Sequence, residues 1–403
     1  APFTVRLHEE SLQIGPAQFR INDGSFDTEL KFTGGLLKNG EFKMVNIDLE
    51  GVEKLFGTEL PLTGTAFADF SAKTENNELF LDGSFQVRNG IWEGMAFDDL
   101  IFTAAVDGEH VTIREMQLKR GQDLALDISG FYTARLDADE FLSAKPDGNL
   151  SFSGLFNKFD LVLLSPYLPE WWHLKGAATG SFAMSGTSEF SEISFAFAID
   201  DPRFSRIEAG QIKANGRYAG HRLYFENLVG LTKTGEYRGE GYLPVDFDIV
   251  ANDEDRWIET DPIAMDFKFK TSSMDFLTPY FAYLDSVKGA IDIDLSITGT
   301  PDRPVRNGNI TVSNGEIYYT LLAQPVSNVN GRAFLKDNML ILDRLTATSH
   351  IPDDTNWGQD LRSNLARISG GKLFGEKKKD KGENLRITGT MDMNSFFNPN
   401  LAF

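Results

Sequence analysis

Apolar and polar residues alternate strictly over short stretches of this chain. Asp266-Phe267-Lys268-Phe269-Lys270 and Ile291-Asp292-Ile293-Asp294-Leu295 place apolar side chains on one face of an extended backbone and charges on the other. Ser194-Phe195-Ala196-Phe197-Ala198 and Val245-Asp246-Phe247-Asp248-Ile249 do the same, and Leu79-Phe80-Leu81-Asp82 and Leu124-Ala125-Leu126-Asp127-Ile128 do so less cleanly. Strands of this kind belong to antiparallel sheets with one dry face and one wet face. Asn22-Asp23-Gly24, Asn39-Gly40, Asn89-Gly90, Asp107-Gly108, Asn215-Gly216 and Asn314-Gly315 punctuate them. Asn-Gly and Asp-Gly accept the positive φ of tight turns, so these sites read as hairpin connections. The pattern predicts an all-β, antiparallel protein.

A second, longer period lies over the first. Gly64, Gly176 and Gly289 stand 112 and 113 residues apart, and their surroundings recur with them. Fifteen positions before each glycine are Leu49, Leu161 and Met274, and six after are Phe70, Phe182 and Leu295. A unit of about 112 residues exceeds most solenoid repeats and is expected to be a multi-strand module stacked in tandem. The expected division is residues 1–34 as the end of a preceding unit, then 35–147, 148–260 and 261–403. Each unit carries a short helical signature before its glycine. It is clearest from Ser273 to Phe281, where Ser273 or Asp275 can cap it, and weakest over 48–57. The third unit contains an insertion at 350–384, with a helical face of Leu361, Leu365 and Ile368 and then a charged loop at 375–382.

Composition narrows the class. A formal charge of −20 opposes binding to nucleic acid or to an anionic membrane surface. The absence of cysteine excludes disulfides, zinc–thiolate sites and cysteine nucleophiles. No run of 18 apolar residues offers a transmembrane helix. Ala1-Pro2-Phe3 reads as a cut inside a longer protein. Phenylalanine is abundant, 33 residues against 10 Tyr and 5 Trp, and it lacks the polar handle suited to wet recognition surfaces.

Catalytic constellations are not in view, so no enzyme, no cofactor and no metal site is expected. The histidines, His8, His110, His173, His221 and His350, are far apart in sequence. His110 and His221 fall at nearly equivalent places in successive units, with Asn338 near that place in the third, which suits strand-end polar residues. Asp292 and Asp294 share a strand face and read as part of its wet side. Acidic runs at 137–140 and 253–255 lack the glycine and glutamate pattern of a calcium loop. Gly370-Gly371-Lys372 lacks the spacing of a phosphate-binding loop.

The segments around the repeat glycines resemble the AsmA-like superfamily, and within it the TamB family. The resemblance is carried by Asp160-Leu161-Val162-Leu163-Leu164-Ser165-Pro166-Tyr167-Leu168-Pro169 leading to Gly176, and by Met274-Asp275-Phe276-Leu277-Thr278-Pro279-Tyr280 leading to Gly289. Strands ending in Ser185-Gly186 and Thr298-Gly299-Thr300 follow, then Pro301-Asp302-Arg303-Pro304 and Asn330-Gly331-Arg332-Ala333. Asp201-Pro202 stands where the other units have Asn89-Gly90 and Asn314-Gly315, and the insertion at 350–384 is a further departure.

The resemblance implies an elongated antiparallel sheet folded into a U-shaped trough (a β-taco) with an apolar inner face. It also implies a periplasmic location, an inner-membrane anchor supplied by an N-terminal helix, and passage of phospholipids toward the outer membrane or support of outer-membrane assembly. Phospholipid acyl chains are then the expected cargo, and an outer-membrane barrel protein an expected partner at one end. The residues themselves agree: roughly 25 strands at about 4.8 Å would give a sheet of about 120 Å with one apolar side. Leu79, Leu81, Phe85, Phe195, Phe197, Phe247, Phe267, Phe269, Ile291, Ile293 and Leu295 are the expected lining. A closed β-sandwich or solenoid would use the same residues as core and act as a spacer or adhesin. A carbohydrate binder would need aromatic platforms, for which only Trp171-Trp172 offers material.

Overall fold

The computed structural model describes residues 4–8, 11–21, 23–34, 36–56, 62–76, 78–92, 95–121, 123–137, 141–162, 174–204, 207–248, 257–280, 283–320, 325–348, 373–377 and 385–393. Among these residues, twenty-four strands form one sheet. They are β1 (Val5–His8), β2 (Ser11–Ile21), β3 (Gly24–Thr33), β4 (Leu36–Asp48), β5 (Thr65–Glu75), β6 (Glu78–Trp92), β7 (Met95–Asp107) and β8 (His110–Arg120). Next come β9 (Asp123–Asp137), β10 (Phe141–Ala144), β11 (Asn149–Asp160), β12 (Leu174–Thr187), β13 (Ser191–Phe204), β14 (Ile207–Glu208), β15 (Gln211–Tyr218) and β16 (Arg222–Leu231). The last are β17 (Gly235–Pro244), β18 (Ala264–Ser273), β19 (Leu284–Gly299), β20 (Pro304–Tyr319), β21 (Val326–Lys336), β22 (Met339–Thr348), β23 (Leu373–Lys377) and β24 (Leu385–Asp392).

Every pairing is antiparallel, and almost every strand pairs with its neighbours in sequence. Short β10, β14 and β23 are side branches on β9, β13 and β24; the main meander passes them by pairing β9 with β11, β13 with β15 and β22 with β24. Pairing also runs unbroken across the expected unit boundaries, through β3–β4, β9–β11 and β17–β18. The result is one long, open, all-β sheet, as the alternation predicts.

Its openness has a measurable consequence. The accessible surface is 24224 Å², against roughly 16,000 Å² for a compact protein of this mass. Most of the buried apolar residues fall into five clusters, each drawn from neighbouring strands and three of them also from the short helical segment beside them. Among the described residues, no cluster joins distant strands as the two inner faces of a sandwich would.

The repeat glycines share one conformation. Gly64, Gly176 and Gly289 have φ of 119°, 134° and 111°, and each faces a residue whose own φ is positive: Asn89 at 50°, Asp201 at 47° and Asn314 at 52°. Asp201-Pro202 therefore does the work of Asn89-Gly90 and Asn314-Gly315. These dipeptides are not hairpin turns, however. Asn89-Gly90 and Asn314-Gly315 lie inside β6 and β20, and Asn39-Gly40 and Asn215-Gly216 lie inside β4 and β15. Three of the four, all but Asn89-Gly90, sit at or beside register shifts, within bulged strands and not at reversals, and across all four only Asn89 and Asn314 have positive φ. Of the expected turns, those at 22–24 and 107–108 do connect strands.

The short helices differ in strength from the expectation. The weakest signature forms a full α-helix, α1 (Leu49–Phe56), whereas the clearest forms a 3-10 segment, Asp275–Tyr280, which Pro279 helps to keep short. Ser273 Oγ accepts the Asp275 amide at 3.2 Å, and Asp275 Oδ1 accepts the Val287 amide at 2.9 Å. The second signature is described only to Val162. Its anchor is nonetheless in place: Leu49, Leu161 and Met274 are all buried, each in a cluster of its own unit. Of the insertion, the expected helix at 360–369 lies outside the described residues, and Gly375-Glu376-Lys377 is not loop but part of β23, paired with β24.

Candidate functional site: one apolar face

In an antiparallel ladder, residues directly opposite each other project from the same face, so the register can be followed from strand to strand. One row runs Ile47, Ala66, Val87, Leu100, Leu118, Leu126, Phe156, Gly180, Phe197, Ala214, Leu228, Gly239, Phe267, Leu295, Gly308, Leu335 and Leu340. It crosses every main strand from β4 to β22 without a polar side chain. At about 4.8 Å per strand it spans roughly 75 Å.

Parallel rows flank it. Phe85, Phe102, Met116, Ile128, Gly154, Phe182, Phe195, Gly216, Phe225, Gly241, Met265 and Ile297 form a second. On the other side, Tyr237, Phe269, Ile293, Ile310, Ala333 and Leu342 form a third. Ile291 continues to Val312, and Leu81 to Val106, in shorter rows on the same face. Leu79 lies two residues from Leu81 and shares its face.

Ten of the eleven expected lining residues thus lie on one continuous face, and three of them, Phe197, Phe267 and Leu295, lie in one row. Leu79 and Ile291 are buried; Leu81, Phe85, Phe195, Phe197, Phe267, Phe269, Ile293 and Leu295 are only half-buried. Phe247 is different. β17 ends at Pro244, Val245 makes only an isolated bridge to Trp257, and Phe247 follows in a non-strand segment against the Tyr218 ring, 5.5 Å away. The alternation of 245–248 does not become a strand because the segment turns back, with Asp246 Oδ1 accepting the Asp248 amide at 2.9 Å.

Glycines on this face serve the aromatic rings. The Phe182 ring lies over Gly154, Phe195 over Gly216, Tyr237 over Gly230 and Phe267 over Gly239. A ring resting on a bare backbone lies close to the sheet, so the face stays shallow and smooth. The sequence reading missed a further aromatic run at the first strands. Phe19, Phe26, Phe42 and Phe70 follow one another with centroids 5.9, 4.7 and 6.4 Å apart. Bulges interrupt the alternation of β2 and β4, and only the register reveals the run.

Polar groups that do reach this face are held neutral or paired. Burial pushes the Tyr237 phenol up to about 12, and its hydroxyl donates to the Ala209 carbonyl at 2.9 Å. Burial likewise raises Tyr218, with Asp248 and Asp246 adding to the effect. Arg306, opposite Ile297, is lowered by burial and reaches Asn338 Oδ1 at 3.4 Å. The opposite face carries ion pairs, Lys43–Asp69 at 3.4 Å and Lys270–Asp292 at 3.0 Å among them. The arrangement can accommodate long apolar chains along one side while water wets the other.

No family model and no solved structure matches the chain. Protein TIC236, chloroplastic, from Arabidopsis thaliana is 27% identical over 177 residues, which is 43% of this chain and 7% of that protein. The chain thus spans less than a tenth of the length of the curated relative it matches. Together with the long open antiparallel sheet, this distant similarity fits the AsmA-like resemblance coarsely, at the level of a groove-forming β protein.

Proposed function

We propose that this chain is a section of a non-enzymatic, lipid-carrying groove of the bacterial envelope, of the TamB kind within the AsmA-like superfamily. It works in the periplasm as part of a protein anchored in the inner membrane, and it passes phospholipids between the inner and outer membranes or supports outer-membrane assembly. An outer-membrane barrel protein is the fitting partner at one end. One observation carries the reading: a 17-strand row with no polar side chain, of which nine residues, most of them beyond β9, stay partly exposed. Acyl chains would lie along it by apolar contact, and head groups would stay at the wet margin. Because the rows repeat the same chemistry, transfer is distributed over many residues and no single one is indispensable. The distant chloroplast relative is in keeping with this reading, and among the described residues no second sheet covers the rows, which favours it over a spacer with a closed core.

The test is native mass spectrometry with lipid extraction on the chain purified from periplasmic expression. Several phospholipids per chain are expected, and they should be lost in a Phe267→Glu, Phe269→Glu variant that keeps its β-sheet circular dichroism. A folded wild-type chain free of lipid would refute the groove reading and bring the spacer forward.

A further inference from the structure

Away from the middle of the apolar face, three loops meet at one margin of the sheet. They are the turn between β12 and β13, the turn between β15 and β16, and the segment after β17. The Val245 amide donates to the His221 carbonyl at 3.0 Å. The Phe247 amide donates to the Tyr218 hydroxyl at 3.1 Å. Asp248 Oδ1 receives the Ser191 amide at 3.0 Å and the Ser191 hydroxyl at 2.6 Å. These contacts turn both carboxylates toward one imidazole: His221 Nδ1 is 3.6 Å from Asp246 Oδ1 and 3.6 Å from Asp248 Oδ2.

The spacing is informative. A protonated Nδ1 between two carboxylates would draw one of them to about 2.8 Å. Here it is equally far from both, and although Nδ1 itself is buried it makes no hydrogen bond. Two metal–ligand bonds of about 2.1 Å, at an angle between tetrahedral and trigonal, place their donor atoms about 3.4–3.6 Å apart. Asp248 is almost fully buried, with its side chain 4% exposed, and its other oxygen is held by Ser191, which is the support that metal-binding carboxylates require.

We propose that His221, Asp246 and Asp248 form a site for a zinc-type divalent cation, one that clamps the 245–248 segment to the margin of the sheet. A mixed set of one imidazole and two carboxylates suits a borderline ion; calcium and magnesium prefer all-oxygen shells. The ion neutralises the two carboxylates in a chain already at −20. It also fixes Phe247 over Tyr218 at the lip of the apolar face. The site stands independently of the lipid reading.

The decisive measurement is equilibrium dialysis and calorimetry of the chelator-treated chain, with Zn²⁺ as the probe and excess Mg²⁺ present to occupy diffuse acidic sites. One tight Zn²⁺ per chain is expected, and Co²⁺ in its place should give the visible absorption bands of a nitrogen-ligated ion. His221→Asn suits the test, because His221 has φ of 56° and Asn338 adopts φ of 67° in the corresponding turn of the third unit. That variant and Asp246→Asn should each weaken Zn²⁺ at least tenfold, and Ser191→Ala roughly tenfold to a hundredfold through loss of carboxylate support. No tight Zn²⁺, or Zn²⁺ binding unchanged in folded His221→Asn and Asp246→Asn, would overturn the proposal and leave an ion pair.

Discussion

The two faces of β18 are one residue apart in sequence and opposite in physics. Phe267 and Phe269 project into the apolar rows, while Asp266, Lys268 and Lys270 project into water. The same split holds for strands far from it, since register carries Phe197 and Phe267 into one row although 70 residues separate them. The faces do not differ in strand content or pairing, only in what they present. The wet face is stabilised by solvent and by cross-strand pairs. Among the described residues no second sheet covers the dry face: Phe197, Phe267 and Leu295 remain half-buried, whereas Val87 and Leu118, clustered with Leu49 of α1, are fully covered. A sheet can therefore be folded and still hold a long apolar surface in reserve.

The harshest way to break this asymmetry is to put a charge where the dry face is fully closed. Val87 is 0% exposed in the cluster of β4 to β11. Val87→Asp buries a carboxylate without a partner and should cost about 3–5 kcal/mol by urea denaturation. A loss below about 1 kcal/mol would mean that the cluster opens readily and is no core.

A milder change separates an open face from a closed one. Truncating a buried phenylalanine costs about 3–5 kcal/mol. Phe267 rests on Gly239 with its outward side uncovered, so Phe267→Ala should cost about 1–2 kcal/mol. A measured value near 4 kcal/mol would place the ring in a closed core, and the groove would lose its main support.

How much of this contrast was legible follows from where strict alternation survives. Asp266–Lys270 and Ile291–Leu295 could be assigned to faces directly because nothing interrupts their two-residue period. The aromatic run at Phe19, Phe26, Phe42 and Phe70 could not, because register shifts between Ile14 and Ala17 and between Met44 and Ile47 break the count along β2 and β4. Asn89-Gly90 and Asn314-Gly315 misled for another reason: an Asn with positive φ can sit inside a strand opposite a glycine as well as in a turn, and only the neighbouring strand decides which. The repeat itself was legible at Leu49, Leu161 and Met274, since an anchor must be apolar in every copy. The meeting of His221 with Asp246 and Asp248 was hidden, because it depends on a segment that alternates like a strand and yet folds back.

The smallest effect belongs to the wet face, and it tests the comparison from the other side. Lys270 Nζ sits 3.0 Å from Asp292 Oδ2, yet the two side chains remain 66% and 52% exposed. Water screens an exposed pair, and ordering two flexible side chains offsets much of the attraction, so Lys270→Ala should cost about 0.5 kcal/mol or less and vanish at high salt. Thermal denaturation at low and high ionic strength measures this. A loss above 1 kcal/mol that persists in salt would mean the pair is shielded from water. The charged side would then also be covered in solution, and the asymmetry between the two faces of β18 would have to be read as two buried surfaces of different polarity.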